Sequence, residues 1–241
     1  MTRRDFLNIS VLTFGLSNLD LFALPNENVS IKVLTGRQEP VLVGKNERLL
    51  KQVSVDFKKM QQAALKSKIQ LFSTSSYRGF EHQLRIWNAK YDRYVEKGLK
   101  GEEIISKIIE YSAFPGASRH HWGTDLDIYD ISVMQPKDPL NPIHYSKGGI
   151  YEKMYSWMQE NSYKFGFYEV YTNNSSRSGF KFEPWHYSYK ESSVPFLREF
   201  VKADFKKDLF STKIKGHELI DTKFWEIYLE KYVKGINPIL L

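Results

Sequence analysis

The 241-residue sequence contains no cysteine, so it can build no disulfide, no thiolate metal ligand and no cysteine nucleophile. Zinc-finger and cysteine-peptidase chemistry are thereby excluded, and any metal must be held by histidine and carboxylate. The same absence assigns no compartment, because cytosolic and exported proteins alike can do without cysteine. Pro/Gly/Ser-rich linkers, internal repeats and low-complexity tracts are also missing from the middle of the chain. A long hydrophobic run is missing too: the apolar stretch from Ile9 to Leu24 is interrupted by Asp20, short of the roughly 20 apolar residues a membrane span needs. Acidic excess is absent, the net charge being +7. Lys51, Lys58, Lys59, Lys66 and Lys68 are spread along one predicted helix with apolar residues between them, which reads as a solvated face rather than a phosphate track. Nucleic acid is therefore not expected as a partner; an anionic envelope polymer or a membrane surface suits such a face equally well.

With 41% hydrophobic and 15% aromatic residues, the chain can enclose one sizeable core or at most two small ones. The compositional boundary falls near Pro25-Asn26-Glu27-Asn28, giving one expected domain over 26–241. Residues 1–25 pair Arg3-Arg4 and Phe6-Leu7 with an apolar middle and Ala23 before a cleavage point, and resemble a twin-arginine export signal. Leu21 is a poor small-residue match for cleavage. The expectation is export to the periplasm or cell envelope, with membrane anchoring through this segment if it is retained. No oligomeric state is implied.

Apolar periodicity predicts helices over 47–65, 81–94, 102–111, 149–164, 196–205 and 223–233. Alternation predicts strands over 69–75, 124–129, 167–171 and 180–189. There is no regular βαβ alternation, so the fold class is α+β: a small, mostly antiparallel sheet flanked by helices. Arg78 falls where the first of these strands gives way to a helix, and Asp125, Asp127 and Tyr129 share one face of the second.

Two distant segments carry chemistry: Ser118-Arg119-His120-His121-Trp122-Gly123-Thr124-Asp125-Leu126-Asp127 and Glu183-Pro184-Trp185-His186. Together they offer two imidazoles, a carboxylate and a spare glutamate, the inventory of a catalytic zinc site with one coordination position left for water. His120 and Asp127 stand at an odd offset, which in a continuous strand would face them apart. A turn or bulge at Gly123 resolves this by placing His120 on an entering loop and Asp127 on the following strand. Irregular backbone near Pro184 would do the same for Glu183 and His186. In such a site Glu183 is the candidate general base, passing its proton to the leaving amine. Arg78 is placed to meet the charge that develops on the attacked carbonyl oxygen.

These residues match a known pattern: Ser75-Ser76-Tyr77-Arg78, Gln83, Pro115-Gly116-x-Ser118-x-His120-x-x-Gly123-x-x-x-Asp127, Phe165-Gly166-Phe167 and Glu183-Pro184-Trp185-His186-Tyr187, in that order through about half the chain. The set resembles the D-alanyl-D-alanine carboxypeptidases of the VanY-like zinc peptidases. The resemblance implies one catalytic zinc and hydrolysis of the terminal D-alanine from peptidoglycan stem peptides or muropeptides. By position, His120, Asp127 and His186 are the implied zinc ligands, Glu183 the base and Arg78 the oxyanion-side cation, with Ser118 and Gln83 as substrate-contact candidates. An L,D-carboxypeptidase or a peptidoglycan endopeptidase would use the same zinc apparatus, and a non-catalytic wall-binding protein is the rival of another class. The stretch between Gln83 and Pro115 is longer than in the shortest members, which bears on the shape of the groove.

Other polar and aromatic residues have plainer readings. His82, His144 and His217 are expected to be structural, His121 to pack in the site wall or hold a supporting contact, and Asp125 to back the site rather than ligate. Trp122 and Trp185 are expected to fix rotamers by packing rather than to stack on a ligand.

Overall fold

The computed structural model describes residues 29–203 and 213–241; the export segment expected over 1–25 lies outside them. Helix α1 is Ile31–Leu34. A two-residue hairpin, β1 (Leu42–Val43) against β2 (Leu49–Leu50), leads into α2 (Lys51–Lys66). Strand β3 (Leu71–Ser75) follows, then α3 (Phe80–Glu96), α4 (Glu102–Ile108), β4 (Asp125–Asp130) and α5 (Glu152–Asn161). The chain ends in β5 (Phe167–Glu169), β6 (His186–Tyr189), α6 (Lys190–Lys202) and α7 (Thr222–Tyr228), the last running on as a π turn over Leu229–Val233.

The main sheet has the order β3-β4-β6-β5 with every pair antiparallel. Asp127 lies opposite His186 and Asp125 opposite Ser188, so the two chemistry-bearing segments meet on the central strand pair. Leu126 and Ile128, the alternate residues of β4, are fully buried in the core beneath.

Two cores flank this sheet. One packs α3, α4, α6 and α7 around Trp87, Phe114, Trp122, Phe200 and Tyr228. The other packs α2 and α5 against the sheet around Phe57, Met60, Met154, Met158 and Phe167. Helix α2 buries Val53, Phe57, Met60 and Ala64, the apolar stripe its sequence predicts. Among the described residues no helix is long and apolar enough to cross a membrane.

The α+β expectation agrees with this architecture, with some boundaries moved. Leu49 and Leu50 join the hairpin rather than α2, and the Leu50 N–H donates to the Gly123 carbonyl. The strand expected over 180–189 is confined to His186–Tyr189. Pro184, which has no N–H to give a ladder, helps to end it there, and a turn closed by His186 N–H to Glu183 O precedes the strand. Helix α6 begins at Lys190, directly after β6, with Pro195 inside it.

Candidate active site

Gly123 makes the first approach to the site. His120 sits in a 3₁₀ turn over Arg119–Trp122 that Gly123 ends in the left-handed region at φ +69°, after which β4 begins. A Cβ at Gly123 would come within 2.5 Å of Leu42 Cδ2, so both the backbone and the hairpin require glycine there. On the other side, the β3–β4 register shifts between Ser73 and Ser75. This irregularity precedes Arg78, whose N–H donates to the His120 carbonyl at 3.0 Å.

His120, Asp127 and His186 are brought together with one ligand atom each, all within 4.8 Å of one another. His120 Nε2 is 3.5 Å from Asp127 Oδ2, and His186 Nδ1 is 3.8 Å from Asp127 Oδ1. Two donors on a tetrahedral ion at about 2.1 Å lie roughly 3.4 Å apart, so the spacing fits a single metal ion. Asp127 Oδ1 is buried without a hydrogen-bond partner, an orphaned acceptor of the kind a cation satisfies. The other ring nitrogens are engaged: His120 Nδ1 is 2.8 Å from the Ser76 carbonyl, and His186 Nε2 is 3.1 Å from Asp125 Oδ2. Donation through those nitrogens leaves His120 Nε2 and His186 Nδ1 as the basic atoms facing Asp127.

Asp125 is the hub behind His186. It also accepts from Arg119 Nε at 2.8 Å, Ser188 Oγ at 2.7 Å and Thr124 Oγ1 at 2.6 Å. Burial alone would raise its carboxyl, but Arg119 and His186 outweigh that and hold it well below the usual range. Burial also opposes ionisation of Asp127, yet the two imidazoles and Arg78 bring it down to about 2. His186 is pushed the other way: despite burial, Asp125, Glu183 and Asp127 raise it to about 9. Burial lowers His120 and, helped by the Asp127 charge, raises Glu183. The cluster is a pocket of negative field that favours a cation at its centre.

Glu183 Oε2 lies 3.0 Å from His186 Nδ1, beside the ligand atoms without belonging to the trio. Arg78 spreads its fork over three acceptors: Gln83 Oε1 at 2.9 Å, Ser75 Oγ at 3.0 Å and Asp127 Oδ2 at 3.3 Å. Gln83 is 0% exposed, and its Nε2 donates to the Ala113 carbonyl. The structure thus places it behind Arg78 rather than at a surface a substrate touches. Phe80, Gln83, Leu84 and Trp87 form the buried stripe of α3, and the helical period turns the glutamine inward. Ser118 does line the cleft.

His121 is buried and ties the wall together. Its Nδ1 faces the Arg78 carbonyl at 2.5 Å and its Nε2 accepts the Gly116 N–H at 3.2 Å. Burial takes it down to about 3, so it is a neutral strut. Trp122 is buried and donates to the Leu34 carbonyl. Trp185 packs on Tyr145 at 5.8 Å while still lining the cleft.

The cluster opens on a cleft of about 420 Å³ between the two cores. Its lining includes Lys90, Tyr111, Ala113, Tyr171 and Phe180, together with Asp138, Leu140, Asn141, Pro142 and Trp185. The Tyr171 ring stands edge-on to His186 at 5.0 Å. Asp125 stands behind the cluster, as its place on the Asp127 face of the strand led one to expect. Lys90, Tyr171 and the partnership of Arg119 with Asp125 were not legible from local sequence, because tertiary packing delivers them.

A buried two-histidine, one-aspartate cluster with a glutamate at its side and an open cleft in front defines a hydrolase of the metallopeptidase class. Residues 46–192 match the family described as VanY: D-alanyl-D-alanine carboxypeptidase, and the chain belongs to that family. It is 32% identical over 117 residues to an uncharacterized protein of Haemophilus influenzae, covering 48% of this chain and 86% of that protein. It is 28% identical over 167 residues to a D-alanyl-D-alanine carboxypeptidase of Enterococcus faecalis, covering 65% of this chain and 57% of that protein. Among solved structures, the vancomycin resistance D,D-pentapeptidase VanY from a VanB-type resistance cassette, a mutant in complex with Zn(II), is similar with a TM-score of 0.51 and 26% identity. That match covers 63% of this chain and 79% of the other.

Proposed function

We propose that this protein is a zinc-dependent D,D-carboxypeptidase that removes the terminal D-alanine from D-Ala-D-Ala-ended stem peptides of peptidoglycan. The observation that carries this reading is Glu183, a buried carboxylate beside three convergent ligand atoms at the floor of an open cleft. Zinc held by His120 Nε2, an Asp127 oxygen and His186 Nδ1 would supply a Lewis acid and activate water near neutral pH. Glu183 takes the proton of the attacking water and returns it to the leaving amine, its raised pKa suiting both directions. Arg78 faces the carbonyl oxygen as negative charge grows there, its fork pre-set by Gln83 and Ser75. Ser118 contacts the peptide from the cleft wall.

The Enterococcus faecalis relative, by its description, and the Zn(II) complex of the VanY pentapeptidase support the choice of substrate and metal. Envelope peptidoglycan as substrate, with Arg3-Arg4 in an export-like segment over 1–25, supports a location in the periplasm or cell envelope for a catalytic domain over 26–241. Digestion of muropeptides by the zinc-loaded protein, followed by mass analysis, tests the assignment. Loss of one D-alanine from pentapeptides is expected; loss from tetrapeptides, or cleavage of cross-links, would replace it with L,D-carboxypeptidase or endopeptidase activity.

A further inference from the structure

Lys90 stands on α3 two turns beyond Gln83 and lines the cleft beside Tyr111, Ala113 and Phe180. Its Nζ donates to Ser112 Oγ at 2.5 Å, its hydrogen-bond partner among the described residues. The other two cations of the cleft are paired differently: Arg78 with Asp127 and Arg119 with Asp125. Lys90 has instead a neutral hydroxyl, which leaves two N–H donors and a full charge facing the cleft. Burial lowers its pKa while the charge of Glu183 raises it and that of Arg78 lowers it, so the ammonium lies within electrostatic reach of the catalytic groups. A part-buried ammonium with spare donors is costly until an anion meets it.

The same cleft is also lined by Asp138 and Asn141, so it offers a bound peptide both a cation and acidic or amide groups. A peptide that ends in a free carboxylate has a group to match that cation. A fixed cation one residue beyond the scissile bond is one means by which an enzyme selects the last residue of a chain.

We propose that Lys90 is a specificity-determining residue: its ammonium, steadied by Ser112, binds the free C-terminal carboxylate of the departing residue and makes the site exo-acting. This inference rests on the carboxypeptidase reading above. It locates the determinant in the segment between Gln83 and Pro115.

The test is calorimetric titration of zinc-loaded Glu183→Gln protein with acetyl-Lys-D-Ala-D-Ala and with its C-terminal amide. The acid is expected to bind about 10- to 100-fold more tightly than the amide, as one charge-assisted contact allows. Lys90→Met should abolish that preference, and Lys90→Arg should keep part of it, which separates loss of charge from loss of fold. The assignment is overturned if acid and amide bind alike, if neither binds, or if Lys90→Met retains the preference. Turnover by the unsubstituted enzyme reports separately on the reaction: an acid preference without release of D-alanine would sink the D,D-carboxypeptidase reading and leave Lys90 as the carboxylate anchor.

Discussion

Asp125 Oδ2 stands 3.1 Å from His186 Nε2, on the side of the imidazole away from Glu183, and the same oxygen receives Arg119 Nε at 2.8 Å. The ring is thus clamped between a buried ion pair behind it and the ligand cluster in front. Carboxylates that hold a ligating histidine in this way fix its tautomer and raise its basicity. Arg119 and Asp125 both fall at positions that the recognisable motif leaves open.

Replacing Asp125 should therefore act on the metal before it acts on the peptide. Asp125→Ala is expected to weaken zinc binding by about 10- to 100-fold. It should also destabilise the protein by roughly 3–5 kcal/mol, because Arg119 would be left buried without its counter-charge. Asp125→Asn retains an acceptor for His186 and should show smaller effects on both. Chelator competition and thermal denaturation measure the two quantities; unchanged zinc affinity in Asp125→Ala would remove the clamp from the account.

On the proposed reading Glu183 serves proton transfer rather than ligation, and the two roles separate experimentally. Glu183→Ala should abolish release of D-alanine while the protein still binds zinc at one equivalent, as measured by metal analysis after dialysis. Turnover surviving at the original rate would require a different base, and lost zinc would make Glu183 a ligand.

Much of this arrangement was readable along the chain, and the limits have physical reasons. His120, Gly123 and Asp127 are close in sequence, so alternation along β4 and one glycine were enough to bring both candidate ligands to one cluster, as the left-handed Gly123 does. Glu183 and His186 are likewise local, joined by a single turn before β6. Arg78 was legible as a strand-end residue, but its dependence on Gln83 was not, even though Phe80, Gln83, Leu84 and Trp87 spell out the inward stripe of α3. Lys90 and Tyr171 reach the cleft from segments about 80 residues apart, and no local pattern announces such a meeting. The hairpin of β1 and β2 is too short to leave a periodic trace.

Arg78→Ala should lower the rate by about 10²- to 10³-fold, the usual cost of removing one group that stabilises a developing oxyanion. Zinc content should be little changed, since Arg78 borders Asp127 at 3.3 Å without belonging to the trio. Arg78→Lys should recover only part of the rate, because an ammonium cannot span Gln83 and Ser75 as the planar fork does. Steady-state kinetics on a D-Ala-D-Ala-ended peptide decides the matter, and a variant that changes KM alone would make Arg78 a binding residue.

Away from the site, Glu169 on β5 gives the fold a pH dependence of its own. Its Oε2 accepts from Tyr155 at 3.1 Å and Gln159 at 2.6 Å, while Oε1 is buried without a partner. Burial raises the carboxyl from 4.5 to about 7, against the pull of Gln159, Tyr155 and Arg177. Between those values the folded chain holds a proton that the unfolded chain has released. The resulting stability is fully present below about 4.5 and is lost as pH rises through about 7. A shift of this size corresponds to roughly 3 kcal/mol. Thermal melts at pH 5 and pH 8 should show the native protein losing stability with rising pH, with Glu169→Gln much flatter over the same interval. Parallel profiles for the two proteins would mean that Glu169 ionises as freely in the fold as outside it.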